Sequence, residues 1–473
     1  MPDKLPLDIV IMAAGQGPRM KSRRAKVLQP LAGRPLLAHV LAAVVPLAAR
    51  SITVIAGHAA AQVQAFCDAW RMAHPQAAPL RVVIQQPQRG TGHAVQQAAP
   101  HLGAGGVALV LNGDGPMLQT ETLRALLERV NASAGEALVL LTVDTGADAG
   151  AYGRVLREDD GGVRAIREAR DASEAELACT EWYSGVLAAP VALLARCLDM
   201  LDDNNAQHEL YLTDVVRHAR TLGAQVQALC IADRTQAEGV NTPAQLAALE
   251  RLWQRRTAEA LMEQGVRLAD PARLDVRGTL RCGQDVEIDV GCVFEGDVQL
   301  GDDVRIGAHC CIANARIAAG ARIAPFTHIA GDAAGVDVGE GAQVGPFARL
   351  RPGAQLGAEV HVGNFGEVKN SQLAAGAKAN HLAYLGDARV GERVNYGAGC
   401  ITANYDGAYK HRTDIGDDVH IGSNSTLVAP VCVGAGATVG AGSVITRDVP
   451  PATLALRRAP QQVREGWKRP KKA

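Results

Sequence analysis

Aromatic residues make up only 3% of this 473-residue chain. That is lean for a pair of ordinary α/β domains and points to a region whose core is built from small and aliphatic side chains. Neither charge sign dominates. The formal net charge of −1 argues against binding nucleic acid through the surface as a whole. The ten cysteines form no C-x-x-C pair, and the neighbours Cys310 and Cys311 are too close in sequence to bridge readily. The expectation is reduced, mostly buried thiols in a cytoplasmic protein. No apolar run approaches the ~20 residues of a membrane span. The four apolar residues at 9–12 run into a glycine loop rather than a signal-peptide pattern.

Two common phosphate signatures are also missing. The stretch "IVIMAAGQGPRM" at 9–20 has an apolar run feeding a glycine loop, as nucleotide sites often do. It lacks the Walker A spacing, and Met20 stands where the dinucleotide fingerprint needs its third glycine. The loop therefore binds phosphate in another way, with Arg19 and Lys26 as its cations, or else belongs to an ordinary basic surface, "RMKSRRAK".

What is present falls into two halves. Over residues 8–230, apolar runs at 9–12, 52–56, 82–85, 108–111 and 137–143 alternate with helical patterns at 36–46, 59–69, 93–99 and 120–130. This alternation predicts a mostly parallel sheet with covered faces, whose ligands sit at the carboxyl ends of the strands. A helix opening at Asn241-Thr242-Pro243, with a stripe of Leu246, Leu249, Trp253 and Leu261, predicts a connector over 241–271. From residue 272 an aliphatic anchor recurs every six residues: Ile288, Phe294, Leu300, Ile306 and Ile312; then Ile317, Ile323 and Ile329; then Val338 through Val368; then Ile415 through Ile445. Glycine often follows the anchor. One inward aliphatic per hexad is the signature of a hexapeptide β-helix, in which residues three hexads apart stack at about 4.8 Å. The repeat breaks at "ANYDGAYKHRTD", 403–414, which predicts a loop projecting from one edge.

The register carries one geometric inference. Arg351 and Lys369 are three hexads apart and should stack on the outer face. Like charges so placed repel unless an anion lies between them. They form either a phosphate clamp or a solvated pair neutralised by Glu367. His381, in "NHLAYLGD", is either a structural histidine or a base toward an amine, with Tyr384 beside it. Asp114, in "NGDGP", either holds Mg²⁺ beside phosphates or shapes a turn.

Together these motifs resemble the bacterial family of bifunctional N-acetylglucosamine-1-phosphate uridyltransferases / glucosamine-1-phosphate acetyltransferases over nearly the whole chain. The loop at 9–20 is similar to the family's L-A-A-G-x-G-T-R-M, and "QRGTGHAVQQAAP" to its uracil-binding segment. "YGRV", "EGVN", "PFARLRPGA", "HVGNFGEVKN", "NHLAYLGDARVG", "NYGAGCITANYDG" and "REGWKRP" extend the match in the family's order. The resemblance implies a Rossmann-like nucleotidyltransferase domain over 1–240, the linker helix over 241–271, and a left-handed parallel β-helix acetyltransferase domain over 272–473.

It also implies site residues. Met12, Ala13, Ala14, Gly15, Arg19, Lys26 and Gly113 would hold UTP, with Gln85, Gly90 and Thr91 reading its uracil and ribose. Asp114 and Asn241 would bind Mg²⁺, while Gly153, Glu168 and Tyr183 would meet the sugar. The phosphate of N-acetylglucosamine-1-phosphate would attack the α-phosphorus of UTP, and pyrophosphate would leave. In the β-helix, Arg351 and Lys369 would grip the sugar phosphate. His381 would be the base, with Tyr384 and Asn395 around the sugar and backbone N–H groups as oxyanion donors. Ala398, Asn404, Tyr405, Ser423, Ala441 and Arg458 would line the acetyl-CoA site. A homotrimer with shared acetyl sites is implied, with no nucleic-acid partner.

The departures lie in the uridylyl half. Met12 replaces Leu, Pro18 replaces Thr and removes a backbone donor, and Ala25 replaces Pro. Asn112 and Gly115 flank Asp114 in place of Tyr and Val. Tyr183 stands where the family carries an Asn that contacts the sugar, which predicts a slower or differently selective uridylyltransferase. Two rival readings are a monofunctional sugar-nucleotide pyrophosphorylase on a scaffold β-helix, and an acetyltransferase with an impaired uridylyl domain.

Overall fold

The strand Leu7–Ala13 (β1) is buried along nearly its whole length. Apolar side chains on both faces belong in the middle of a sheet covered on both sides. The computed structural model, which describes residues 5–133, 135–147 and 149–470, places it there. β1 pairs in parallel with Ser51–Ala56 (β2), which pairs on its far side with Leu80–Ile84 (β3). On the other flank β1 pairs in parallel with Val107–Asn112 (β4). Beyond β4 the order departs from a simple parallel sheet. Leu138–Val143 (β5) is separated from β4 by the antiparallel strand Trp182–Pro190 (β6), and Val226–Ile231 (β7) closes that edge in parallel with β5. Alternation along β1 feeds two cores. Ile9 and Ile11 pack with Leu41, Val54 and Leu126 on one face, and Val10 packs with Ile55, Val95 and Leu187 on the other. The helices Leu36–Val44 (α1), Ala60–Ala73 (α2), Thr91–Ala98 (α3) and Thr120–Ala132 (α4) cover these faces.

The chain divides into two compact units, Met1–Glu250 and Arg251–Ala473. The boundary falls inside the helix Pro243–Glu263 (α5). Its stripe differs from the expected one: Leu249, Ala258 and Leu261 are buried, whereas Leu246 and Trp253 are only half-buried.

The second unit is a left-handed parallel β-helix of short strands. One face is a ladder of eleven, from Arg267–Leu268 to Leu454–Ala455. The other two are joined where Cys311–Ile317 turns a corner and pairs with both His328–Ala330 and Val336–Val338. Every expected anchor lies in one continuous core. The hexad series does not lapse between Val368 and Ile415, as the sequence reading had it. Leu373, Ala379, Leu385, Val390 and Tyr396 continue the same core. Those coils are one residue short, with His381 17 residues beyond its rung partner Asn364. The insertion lengthens one coil to 25 residues between Asn395 and His420.

All ten cysteines are free thiols. Burial pushes the thiols of Cys67 and Cys310 up to about 12, while Cys230, Cys311 and Cys432 are exposed.

Candidate active sites

The loops after β1 and β4 and the start of α3 enclose a cavity of about 320 Å³. Met12, Ala13, Ala14, Gly15, Lys26, Gln85, Gly90, Thr91 and Asp114 line it, whereas Gly113 does not. Two glycines are fixed by close approach. Gly17 has φ +58, and a Cβ there would lie 2.9 Å from the stem of Lys26. Gly90 has φ +101, and a Cβ would lie 2.6 Å from the Leu210 carbonyl. The buried Gln85 donates to the Gly90 carbonyl at 2.9 Å, so the segment before α3 is tied to the end of β3. Gln88 donates to the Ala14 carbonyl and closes the cavity toward β1.

Lys26 is the electrostatic centre. Its Nζ lies 2.5 Å from Asp114 Oδ2 and donates to Asn241 Oδ1 at 3.2 Å. Both Lys26 and Asp114 are only 14% exposed. A carboxylate and an amide oxygen thus converge on one cation. Val240 donates its N–H to the Asp114 carbonyl at 3.1 Å, which brings Asn241 to the strand end. Arg19 is exposed on the short turn Pro18–Met20 and does not line the cavity.

Gly153, Glu168 and Tyr183 lie outside the lining of that cavity. Glu168 borders a second one of about 190 Å³ with Asp171, Tyr211 and Thr213. Thr213 donates to its Oε1 at 3.0 Å, and burial pushes its carboxyl above the usual range. Tyr183 is 6% exposed and packs in the core with Val155, Val163 and Leu187. Its hydroxyl has no hydrogen-bond partner among the described residues. Burial, and then the charge of Glu168, raise the phenol far above its ordinary range.

In the β-helix, Arg349 and Leu350 pair with Glu367 and Val368, and the Arg351 N–H donates to the Val368 carbonyl at 2.9 Å. Arg351 and Lys369 therefore stack on one wall. The requirement for an anion between them is corrected for Arg351, because Glu367 meets its guanidinium at 2.8 Å. Lys369 has no carboxylate within ion-pair distance among the described residues. Its neighbour Lys410 pulls its pKa down, as do burial and Arg351. Asp387 is held by the amides of Asn370 at 2.6 Å and Asn404 at 2.5 Å.

His381 lies on another wall, as expected, on the strand Lys378–His381. Its Nδ1 meets Asn364 Oδ1 at 2.7 Å. An amide oxygen only accepts, so Nδ1 carries a proton, and in the neutral ring the lone pair is on Nε2. Asn395, also on that wall, bonds His420 at 3.0 Å. Tyr384 pairs with Glu367 on the Arg351 wall. Ala398, Ser423 and Ala441 occupy successive rungs, and Arg458 donates to the Ala441 carbonyl at 3.2 Å. Tyr405 is exposed on the inserted loop.

Residues 9–266 match the MobA-like NTP transferase domain, and residues 412–447 match the bacterial transferase hexapeptide family, six repeats. The bifunctional protein GlmU of Methylibium petroleiphilum is 63% identical over 469 residues, covering 98% of this chain and 99% of that protein. That of Paracidovorax citrulli is 61% identical over 475 residues, covering 98% of each. The chain belongs to the bifunctional GlmU family. That of Polaromonas naphthalenivorans is 62% identical over 470 residues, covering 99% of this chain and 98% of that protein. Like the GlmU family, the chain is a bifunctional transferase of UDP-N-acetylglucosamine synthesis, with a nucleotidyltransferase unit and a hexapeptide-repeat acyltransferase unit. The sequence reading of the sites missed Gln88, Glu209, Asn364 and Lys410. Gln88, Asn364 and Lys410 each lie in a stretch quoted above without being singled out, whereas Glu209, which lines the first cavity, lies in none of them.

Proposed function

We propose that the β-helix acetylates glucosamine-1-phosphate from acetyl-CoA, and that the N-terminal unit then transfers uridylyl from UTP to the acetylated sugar phosphate, releasing pyrophosphate. The observation that carries this reading is the wall bearing Arg351, Lys369 and Lys410. Like charges there lack enough carboxylate to neutralise them, and a bound phosphate dianion relieves the repulsion. A coil that served only to oligomerise would gain nothing from such a cluster.

In acetyl transfer the three cations and Tyr384 orient the sugar phosphate. Nε2 of His381 takes the ammonium proton as the amine attacks the thioester carbonyl, and the CoA thiolate leaves. The column of Ala398, Ser423 and Ala441, with Arg458, Asn404 and Tyr405, lies along the acetyl-CoA groove. In uridylyl transfer the chain mainly positions its substrates and neutralises charge. Gln85, Gly90 and Thr91 hold the base and ribose, and Gly15 and Lys26 the phosphates. Gly153, Glu168 and Tyr183 bound the sugar. Asp114 and Asn241 fit Mg²⁺, since both present oxygen to a point where the structure has a cation's nitrogen. Bound there, the ion neutralises charge on the phosphates.

An exposed aromatic ladder supports a homotrimer through the β-helix. Phe326, Phe347 and Phe365 stack at 5.1 and 5.5 Å along one corner while 52%, 48% and 56% exposed. Stacked apolar side chains left in water favour a protein neighbour. A cytoplasmic location fits the free thiols, and no helix among the described residues is long and apolar enough to cross a membrane.

The test is a pair of assays on the full chain. Thiol release from acetyl-CoA is expected only with glucosamine-1-phosphate, and pyrophosphate release from UTP only with the acetylated sugar phosphate. Thiol release without pyrophosphate release leaves the acetyltransferase alone standing, and the converse leaves the pyrophosphorylase.

A further inference from the structure

The inserted loop is closed by a small polar knot. Asp406 accepts hydrogen bonds from the N–H groups of Ala408 at 2.8 Å and Tyr409 at 2.7 Å, and from His411 Nε2 at 2.6 Å. At the base of the loop the His411 N–H donates to the Asn404 carbonyl at 2.8 Å, and Tyr405 bridges Lys410 in antiparallel fashion. Lys410 is thus bracketed by two residues, Tyr409 and His411, that are both tied to one carboxylate. The base of the loop lies beside Lys369, since Asn404 holds the Asp387 carboxylate and the Asp387 N–H donates to the Lys369 carbonyl at 3.1 Å, and Lys410 is near enough to pull the Lys369 pKa down.

Two lysines on flexible stems repel and would ordinarily splay into water. Keeping them on one wall needs a backbone that leaves one of them little choice. We infer that Asp406 and His411 are positioning residues, forming a clamp that holds Lys410 over Lys369 and so prepares the phosphate-binding wall for the amino-sugar phosphate. The inference rests on the acetyltransferase reading above and deepens it. Neither residue touches substrate. They act by lowering the cost of ordering Lys410 when the phosphate arrives. The three hydrogen bonds also hold the Asp406 carboxyl below the usual range.

Steady-state acetyl transfer by the full chain tests this with His411→Leu, His411→Gln, Lys410→Met and the double variant Lys410→Met/His411→Leu. His411→Leu is expected to raise KM for glucosamine-1-phosphate about tenfold, with kcat and KM for acetyl-CoA held within about twofold. His411→Gln keeps a side-chain N–H near the position of Nε2 and restores most of the loss. The double variant is no worse than Lys410→Met, because a clamp has nothing left to place once the ammonium is gone. Pyrophosphate release by the N-terminal unit stays unchanged and reports that the chain is folded. An unaltered sugar-phosphate KM in His411→Leu overturns the clamp. So do equal rises in both KM values, or fully additive losses in the double variant, since these mark a loop that has merely loosened. An unaltered chain that releases no thiol with glucosamine-1-phosphate overturns the acetyltransferase reading itself, and the clamp with it.

Discussion

Removing one oxygen from Tyr183 should make the ligand-free protein more stable. The ring fills the core beside Val155 and Leu187 and is only 6% exposed, and its hydroxyl is buried without a partner among the described residues. A buried, unpaired polar group costs about 1–3 kcal/mol. Tyr183→Phe keeps the ring and leaves only a very small void, so the net gain is about 1–2 kcal/mol. For a unit of this size that corresponds to a rise of roughly 2–8 °C in the midpoint of its thermal transition. The assay is thermal unfolding of the full chain without substrates, following the transition that uridylyl substrates shift. The same variant is then assayed for uridylyl transfer, where KM for the acetylated sugar phosphate is expected to rise because the hydroxyl takes its missing partner from the sugar. A variant less stable than the parent refutes the claim that the hydroxyl is unpaired. An unchanged KM removes Tyr183 from the sugar-binding set. Tyr183→Asn is the poorer probe, since losing the ring opens a core cavity that costs about 3 kcal/mol or more.

Glu168→Gln is expected to stabilise the protein near neutral pH while keeping the Thr213 hydrogen bond. Burial raises the Glu168 carboxyl above 4.5, so its contribution is most favourable below 4.5 and is lost as pH climbs through the raised value; denaturant unfolding should show the gap to the parent widening from pH 4.5 upward, and a constant gap contradicts this. Lys369 has the opposite sense. Its pKa is lowered from 10.5, first by Lys410, so the folded chain releases this proton more readily than the unfolded chain. Its charge strains the coil at all pH values below the lowered pKa. Lys369→Met should therefore raise the melting midpoint of the ligand-free coil and abolish saturable sugar-phosphate binding by calorimetry, whereas a lower midpoint would place a hidden carboxylate at the ammonium. In the parent, KM for glucosamine-1-phosphate should begin to climb at a pH below 10.5. Gly90→Ala sets a methyl 2.6 Å from the Leu210 carbonyl at φ +101. It should cost about 2 kcal/mol or more and lower pyrophosphate release while thiol release persists; equal loss of both would indicate general misfolding.

The parts of the fold that were legible in the sequence are those whose signal is local and periodic. β1 through β5 each show as an apolar run next to a helical pattern, and the hexads from Ile288 to Ile329 name their own register. β6 was not legible as a strand. "EWYSGVLAAP" carries aromatic and small residues on a bulged segment, and its place between β4 and β5 is settled by partners some 40 to 80 residues distant. The coils after Val368 faded for a different reason. Ala379 and Tyr396 fill inward positions where an isoleucine or valine was sought, and a missing residue per turn shifts the count. The sites divide in the same way. The stacking of Arg351 over Lys369 follows from register alone. Lys410 reaches that wall by the folding of a loop, which no spacing rule predicts. The meeting of Lys26 with Asp114 and Asn241 joins three segments far apart in sequence.

The 25-residue coil leaves its neighbours undisturbed: Tyr396 still sits under Ile421, and Ile421 under Val439. A tower of stacked rungs can thus accept extra chain at a corner without renumbering the storeys above. Such a corner is a socket in which acceptor preference can change by exchange of one short segment, while the hydrophobic prism beneath stays as it was.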